Sequence, residues 1–241
     1  MRKPLIIITG ASSGIGEATA RLFSQAGHPL LLLARRLERM QALALPDCLC
    51  RAVDVSDREA FVAAVKEAEA LYGPADALIN NAGVMLLGLM HEQAPGQWEQ
   101  MLDVNVKGLL NGIHALVGGM IERRQGTIIN VSSVAGRKTF PNHVAYVGTK
   151  FAVHGISENL REEVAAHNVR VVTIAPGAVE TELLGHTTDA GIKEGYQAWK
   201  TDMGGQVLSA EDVAAAIAYA YQQPQHVCIR EIVLAATRQQ P

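Results

Sequence analysis

A chain of 241 residues, 49% of them hydrophobic, is long enough to form one α/β domain with a sizeable buried core. Its 21 basic and 24 acidic side chains give a formal net charge of -3, which provides neither a basic surface for nucleic acid nor a charged tail. The 3 cysteines follow no disulfide framework and the 8 histidines no metal-ligand spacing, so we expect neither a disulfide-stabilised secreted protein nor a metal site.

The first apolar run, residues 5–9 (LIIIT), is too short for a signal sequence or a membrane span, and we expect a cytoplasmic protein with no membrane partner. It is apolar throughout instead of alternating, which is typical of a strand buried on both faces, and residues 30–34 (LLLLA) repeat that pattern. Five further strands are predicted at 49–53, 77–80, 127–132, 169–175 and 227–234. Helical patterns lie between the strands at 15–25, 37–43, 58–71, 98–123, 145–167 and 211–222.

The alternation of about seven strands with helices predicts an α/β fold. Right-handed crossovers leave few arrangements, and the simplest is a Rossmann-type, doubly wound parallel sheet with helices on both faces. No linker, composition break or internal repeat divides the chain, so we predict a single domain over residues 1–241.

A glycine-rich segment, TGASSGIG at 9–16, follows the first strand directly and opens the first helix. Glycine at such a turn permits unusual backbone angles and a close approach of the main chain to a phosphate, and a helix N-terminus favours an anion. The spacing is GxxxGxG and matches the general dinucleotide fingerprint GxGxxG only loosely. The residues that we expect to contact a dinucleotide here are Gly10, Ser12, Ser13, Gly14, Ile15 and Gly16.

The end of the second predicted strand carries Arg35 and Arg36 and no acidic residue. In a dinucleotide fold an acid at this edge would bind the ribose 2′-hydroxyl, whereas arginines pair with a 2′-phosphate. This favours NADP(H) over NAD(H); the alternative is that both arginines are solvated residues at the start of a helix. Asp54, at the end of the third strand, is placed either to hydrogen-bond an adenine edge, with Val55 covering the ring, or to cap a turn.

YVGTK at 146–150 places Tyr146 and Lys150 on one face of a predicted helix. A tyrosine with its ordinary pKa of about 10 exchanges protons poorly near neutrality. A nearby ammonium stabilises the phenolate, so we expect Lys150, together with a positively charged cofactor ring, to lower the pKa of Tyr146. This pair is a candidate proton donor and acceptor for a hydride-transfer reaction.

Taken together, these motifs make the whole chain resemble the short-chain dehydrogenase/reductase family. The matching segments are TGASSGIG, Asp54-Val55, NNAG at 80–83, Asn105 in VNVKG, Ser133 in NVSSVAG, Tyr146 with Lys150, and PGAVET at 176–181. The resemblance implies a catalytic tetrad of Asn105, Ser133, Tyr146 and Lys150. Ser133 is preferred to Ser132 because the family serine lies thirteen residues before the tyrosine.

The resemblance also implies what each residue does. Ser133 would bind the substrate oxygen, Tyr146 would transfer the proton, Lys150 would bind the nicotinamide ribose, and Asn105 would hold a water that connects Lys150 to solvent. Of NNAG, Asn81 would partly stabilise the neighbouring backbone, while Ala82 and Gly83 leave room for the adenine ribose. The residues expected beside the nicotinamide are Pro176, Gly177, Val179 and Thr181.

Three segments at the carboxyl ends of the strands are expected to surround the substrate, at 84–93, 134–143 and 182–203. Residues 182–203 are glycine-rich and predict a substrate lid, with a helical surface insert as the alternative. Arg137, Lys138 and His143 are candidates for an anionic substrate group, although solvated loop charges explain them equally well.

The function that follows is an NADP(H)-dependent oxidoreductase acting on a small carbonyl or secondary alcohol, whether ketone, aldehyde or hydroxy acid. The similarity to the branch that oxidises serine or 3-hydroxy acids is loose. By analogy with the family we expect a homotetramer, or a dimer, joined through the helices at 98–123 and 145–167 and through the last strand. Two alternatives stay open: a non-catalytic NADP(H)-binding sensor or scaffold, and an NAD(H)-dependent alcohol dehydrogenase.

Overall fold

A computed structural model describes residues 3–239, in which seven parallel strands form one sheet in the order β3-β2-β1-β4-β5-β6-β7. After β3 the chain returns to place β4 beside β1, so the order of the strands reverses between these two neighbours. An open α/β sheet binds ligands at such a reversal, outside the carboxyl ends of the strands. The strands are β1 (Leu5–Thr9), β2 (Leu30–Ala34), β3 (Cys48–Ala52), β4 (Ala75–Asn80), β5 (Gly126–Val131), β6 (Val169–Pro176) and β7 (Glu231–Leu234).

Helices cover both faces of the sheet, which confirms the predicted doubly wound fold. Successive residues of β1 point to opposite faces: Leu5 and Ile7 pack with α3, α5 and α6, while Ile6 and Ile8 pack with α1 and α8. All five residues of β1 and of β2 are buried, which is why both strands lack polar alternation. The α-helices are α1 (Gly14–Gln25), α2 (Leu37–Gln41), α3 (Arg58–Tyr72), α4 (Pro95–Leu102), α5 (Gly108–Arg123), α6 (Val144–Val164), α7 (Ala190–Asp202) and α8 (Ala210–Gln222).

The predicted helix at 98–123 is wrong as a single element. It begins at Pro95, and a π-helical turn, Asp103–Lys107, separates α4 from α5. The side chain of Asn105 in this turn exchanges hydrogen bonds with the backbone of Val84, and a π-turn is a common device for aiming a residue at a functional site. The spacing of hydrophobic residues does not predict this turn, because a π-helical turn differs from an α-helical one by a single residue.

The edges of the sheet also differ from expectation. The last strand was predicted at 227–234, but only Glu231–Leu234 pairs with β6, opposite Thr173–Pro176. The third strand lies one residue earlier than predicted. The segment 182–203 contains a 3₁₀ turn, Glu182–His186, and the helix α7, which begins at the N-cap Asp189.

Candidate active site

A cavity of about 930 Å³ opens at the carboxyl ends of the strands where their order reverses. Of the catalytic and cofactor-binding residues predicted from the sequence, all line this cavity except Gly16 and Asn105. Predicted residues more than 160 positions apart in the chain are therefore brought to one place. Those that line it are Gly10, Ser12, Ser13, Gly14, Ile15, Arg35, Arg36, Asp54, Val55, Asn81, Ala82, Gly83, Ser133, Tyr146, Lys150, Pro176, Gly177, Val179 and Thr181.

The glycine loop owes its shape to three glycines. Gly10 and Gly14 have φ angles of 66° and 53°, which other residues rarely adopt. Gly16 lies behind the loop, where a Cβ atom would overlap the carbonyl oxygen of Gly10 and lie 2.6 Å from Nδ2 of Asn81. Ser13 begins α1 without a side-chain cap, so the first amides of this helix remain available to an anion at the cavity wall.

Arg36 lies across the start of this loop. Its guanidinium donates hydrogen bonds to Oγ of Ser12 (3.3 Å) and Oγ of Ser13 (2.8 Å). A third hydrogen bond, of 2.9 Å, goes to the carboxylate of Glu182, which also accepts one of 2.7 Å from Arg39. Neither Glu182 nor Arg39 was predicted as a site residue; the position of Arg39, three residues after Arg36, is the one signal in the sequence that points to it.

Asp54 and Asn81 are both held by neighbouring backbone. Oδ1 of Asp54 accepts from the amide and the hydroxyl of Ser56, which is the turn-capping alternative, yet the side chain stays exposed at the cavity. Nδ2 of Asn81 donates to the carbonyl oxygens of Thr9 and Gly10 and so fixes the glycine loop against β4.

Asn105 is buried beneath the cavity, on the π-turn. Its Oδ1 accepts from the amide of Val84, and its Nδ2 donates to the Val84 carbonyl and to Oγ1 of Thr149. Both amide hydrogens are thus used inside the protein and hold α6, which carries Thr149, against the segment after β4. A part in holding a water for Lys150 stays a prediction.

Tyr146 and Lys150 lie on consecutive turns of α6, and both are buried. Ser133 lies beside the phenol of Tyr146 and acts to lower its pKa, and Nζ of Lys150 lies 5.7 Å from the centre of the tyrosine ring. Nζ of Lys150 also donates to the carbonyl of Val131, at 3.0 Å. Three of the four residues of the expected tetrad therefore share one wall of the cavity.

Burial dominates the electrostatics of this wall. It lowers the pKa of Lys150 from 10.5 to about 8, and it raises the pKa of Tyr146 above its usual value, although Ser133 acts in the opposite direction. The expected lowering of the pKa of Tyr146 is therefore not produced by the protein's own groups. The desolvation of the phenolate exceeds the stabilisation that these groups provide.

The two neighbouring serines are used differently. Oγ of Ser133 accepts from the amide of Ala135 and caps a short 3₁₀ turn beside Tyr146. Oγ of Ser132 instead hydrogen-bonds to the carbonyl of Lys150 and to Nδ1 of His154. This geometry favours Ser133 as the serine that faces a substrate.

The turn after β6 presents the groups expected beside a nicotinamide. Leu208 bonds to the carbonyl of Ala178 and to the amide of Glu180, so the amide of Val179 between them makes no hydrogen bond among residues 3–239. Thr181 caps the following 3₁₀ turn. Gln239, which the sequence did not single out, covers Gly177 and accepts a hydrogen bond of 2.9 Å from Ala178.

The far end of the cavity is apolar. Phe140, Tyr196 and Trp199 form a chain of ring contacts, with centroids 6.4 Å apart for Phe140 and Trp199 and 5.2 Å apart for Tyr196 and Trp199. Met85 and Leu87 line the same end. The end of the cavity next to Tyr146 is therefore lined mainly by apolar and aromatic side chains.

Most of the cationic side chains expected near a substrate contact other groups of the protein instead. Arg137 does not line the cavity and pairs with Glu231, so its assignment to an anionic substrate group is wrong. Lys138 lies over the ring of Phe140. His143 does line the cavity, but burial lowers its pKa and favours the neutral imidazole. Lys200, also on the cavity wall, is paired with Glu180.

The segment between β6 and α7 is fixed at Thr187. This threonine is almost completely buried; its Oγ1 accepts from the amide of Leu87 (3.1 Å) and donates to the carbonyl of Met85 (3.3 Å). The residues before α7 are thereby fastened to the loop after β4.

Within residues 3–239, no helix is long and apolar enough to cross a membrane. In the same range, no group of three or more histidine, cysteine or acidic side chains is arranged to hold a metal ion.

Comparison with known proteins gives a consistent result. The family model for short chain dehydrogenase matches residues 4–191. An uncharacterized oxidoreductase of Staphylococcus saprophyticus is 36% identical over 245 residues, with 99% of this chain and 98% of the relative covered. The closed form of a serine dehydrogenase complexed with NADP+ is similar in structure, with a TM-score of 0.91, 33% identity and coverage of 98% of this chain and 96% of that one. A metagenomic short-chain oxidoreductase in complex with NADP has a TM-score of 0.80 and 28% identity, with 96% of each chain covered. The family model matches well over half of the chain, and the protein therefore belongs to the short chain dehydrogenases.

Proposed function

We propose that this protein is an NADP(H)-dependent oxidoreductase that interconverts a small carbonyl compound and the corresponding alcohol, with Tyr146 as the general acid and base. The observation that carries the proposal is the wall formed by Ser133, Tyr146 and Lys150, which faces the same cavity as the glycine loop. The two structurally similar oxidoreductases complexed with NADP support the choice of cofactor.

The glycine-loop end of the cavity suits the adenosine and pyrophosphate part of NADP(H). Gly10 and Gly14 have no side chains to keep a pyrophosphate from the main chain of the loop, and the start of α1 has no side-chain cap. Arg36 is already oriented by Ser12 and Ser13 toward the position expected for a 2′-phosphate. An acidic residue that would prefer a ribose hydroxyl is absent from 35–36, at the end of β2.

In this proposal the side chains that transfer the proton are on helix α6. NADP(H) supplies or accepts the hydride. Tyr146 donates a proton to the carbonyl oxygen during reduction and takes it from the hydroxyl during oxidation, while Ser133 holds that oxygen. Lys150, whose pKa is lowered by burial to about 8, is proposed to return a proton to Tyr146.

The apolar end of the cavity favours an uncharged substrate. Among the described cavity-lining residues at this end, Lys200 is neutralised by Glu180 and His143 is held neutral by burial. A substrate carboxylate would lose its hydration there without a cation to replace it. We therefore rank neutral ketones and aldehydes with an apolar or aromatic group above oxo acids.

The segment 182–203 is proposed as the substrate lid because it carries Tyr196 and Trp199 over the cavity. A homotetramer, or a dimer, is proposed from the apolar side chains that α4, α5 and α6 leave exposed, and light scattering measures it directly. These side chains are Leu102, Leu110, Val144 and Phe151.

The test is NADPH oxidation, with NADH in parallel, over a panel of aldehydes, ketones, diketones and oxo acids. Tyr146→Phe keeps the shape of the site and should lose about 10² to 10⁴ of the rate while still binding NADPH. Tyr219→Phe, on the exposed side of α8, is the matched control and should keep the wild-type rate.

Each alternative has its own result in this experiment. NADPH binding without turnover anywhere on the panel would favour a sensor or scaffold. Faster turnover with NADH than with NADPH would favour the NAD(H)-dependent alcohol dehydrogenase. A Tyr146→Phe variant with near-normal turnover would show that the proton donor is misassigned.

A further inference from the structure

Glu182 closes the phosphate end of the cofactor groove with two ion pairs. Its Oε2 accepts from Arg36 at 2.9 Å and its Oε1 from Arg39 at 2.7 Å, so each carboxylate oxygen takes one guanidinium. The two arginines come from α2 and its N-cap, whereas Glu182 comes from the turn after β6, 146 residues away from Arg36. The bridge therefore spans the groove between its two walls.

The position that the Glu182 carboxylate occupies is suited to an anionic group of a ligand. Arg36 and Arg39 lie three residues apart on one face of α2, and Arg36 is steadied by the hydroxyls of Ser12 and Ser13. The donors that converge on Glu182 are charged, forked and close to the glycine loop, which is the donor set that a phosphate group prefers. These arginines hold the pKa of Glu182 at about 2, so the carboxylate is ionised at neutral pH.

We infer that Glu182 is a cofactor-specificity residue: its carboxylate takes the position of the 2′-phosphate of NADP(H), and must leave Arg36 and Arg39 when that phosphate binds. Arg39 then becomes a ligand of the phosphate beside Arg36. This inference rests on the proposed function, since it assumes that the adenosine end of NADP(H) lies at Arg36.

The consequence is a free-energy cost of binding that applies only to a nucleotide with a 2′-phosphate. A nucleotide without a 2′-phosphate leaves the bridge intact, whereas one with it must break two ion pairs and then lie near a displaced carboxylate. All three side chains are about half exposed, and each exposed pair changes an equilibrium constant by no more than about fivefold. Removal of the Glu182 charge should therefore tighten binding of the phosphate by about five- to twentyfold.

Weaker binding of the 2′-phosphate after removal of the Glu182 charge would have a different physical explanation. If Glu182 served mainly to hold the two arginines in their binding positions, its removal would loosen them and weaken the phosphate site. The direction of the change in affinity therefore decides between competition and preorganisation.

The experiment measures nucleotide binding by calorimetry, with 2′,5′-ADP and 5′-AMP as probes, for wild type, Glu182→Gln and Glu38→Gln. Glu38 lies beside Arg39 on α2 and forms no ion pair among residues 3–239, so its variant controls for the loss of one negative charge. We expect Glu182→Gln to bind 2′,5′-ADP about five- to twentyfold more tightly with 5′-AMP unchanged, and Glu38→Gln to change 2′,5′-ADP binding by less than about twofold.

A second pair of variants isolates Arg39. Arg39→Ala in the wild-type background both removes a ligand and releases Glu182, so it is made in the Glu182→Gln background instead. There it should weaken binding of 2′,5′-ADP several-fold and leave 5′-AMP unchanged. An unchanged 2′,5′-ADP affinity would remove Arg39 from the phosphate site.

Failure of this inference is separable from failure of the cofactor proposal. If wild type binds 2′,5′-ADP and Glu182→Gln binds it equally or more weakly, Glu182 does not compete with the phosphate and the inference is overturned while the cofactor proposal stands. If wild type binds neither nucleotide, both are overturned.

Discussion

Lys150 should make the folded protein less stable than it would be with an apolar residue at that position. Burial lowers its pKa from 10.5 to about 8, so below pH 8 the lysine is charged in both the folded and the unfolded state, and folding desolvates that charge. The difference of about 2.5 pH units corresponds to a cost of roughly 3 kcal/mol. Loss of the hydrogen bond to Val131 offsets about 1 kcal/mol of this. Lys150→Met should therefore raise the free energy of unfolding by about 2 kcal/mol at pH 7.

The pH dependence is the more specific part of this prediction. Between pH 8 and 10.5 the unfolded wild type binds more protons than the folded one, so wild-type stability rises with pH across this window and the cost of burial disappears above it. The advantage of Lys150→Met should shrink through that window and reverse by about 1 kcal/mol above it, because only the lost hydrogen bond remains.

The assay is urea unfolding, followed by circular dichroism at fixed protein concentration from pH 7 to 10.5 without cofactor. Lys66→Met removes an exposed ammonium from α3 and serves as the control for loss of one positive charge. A Lys150→Met variant that is less stable than wild type at pH 7, or whose advantage is constant with pH, would refute the reasoning. The same variant should lose turnover, since the proposed mechanism uses the lysine ammonium.

The remaining predictions concern positions fixed by close packing. Gly16→Ala should weaken NADPH binding by roughly tenfold, measured by fluorescence titration, because the new Cβ would overlap the carbonyl of Gly10 and displace the loop. Gly148→Ala, on α6 with no atom within 4 Å of the added Cβ, should bind normally; equal effects in the two variants would contradict this explanation. Arg170→Met should lower the free energy of unfolding by roughly 3 kcal/mol in urea with NADPH affinity unchanged, because the buried guanidinium bonds Thr127 and the last carbonyls of α8, and a loss below about 1 kcal/mol would show that water replaces it.

Local patterns predicted the sheet well where burial is uniform. The bounds of β1 and β2 were predicted without error because every residue in them is buried, which leaves one clear apolar run between polar turns. At the edge the same reasoning predicted too long a β7, because the residues before Glu231 have the composition of a strand but no partner strand beside them. The helix α7 was predicted only as the alternative of a helical surface insert within 182–203, because it is more polar than the core helices and buries none of its side chains completely.

For the site, the motifs located the residues but not their partners. Tyr146 and Lys150 are linked by helical spacing, and the sequence is enough to place them together. The bridge from Glu182 to Arg36 and Arg39 joins distant parts of the chain, and only the folded arrangement reveals it. Protonation was the least accessible property, because the pKa of Tyr146 depends on how far burial outweighs its neighbours.

The absence of fully buried side chains from α7 has a consequence for how this enzyme can diversify. The helix supplies Tyr196 and Trp199 to the apolar end of the cavity, yet the core of the domain closes without it. Thr187 fastens the chain before the helix and Met203 is buried just after it, so both ends are anchored although no side chain of α7 is completely buried. In the proposed mechanism, substitutions in this helix would change the substrate range while α6 keeps the proton chemistry, so that selection could vary one part of the protein and preserve the other.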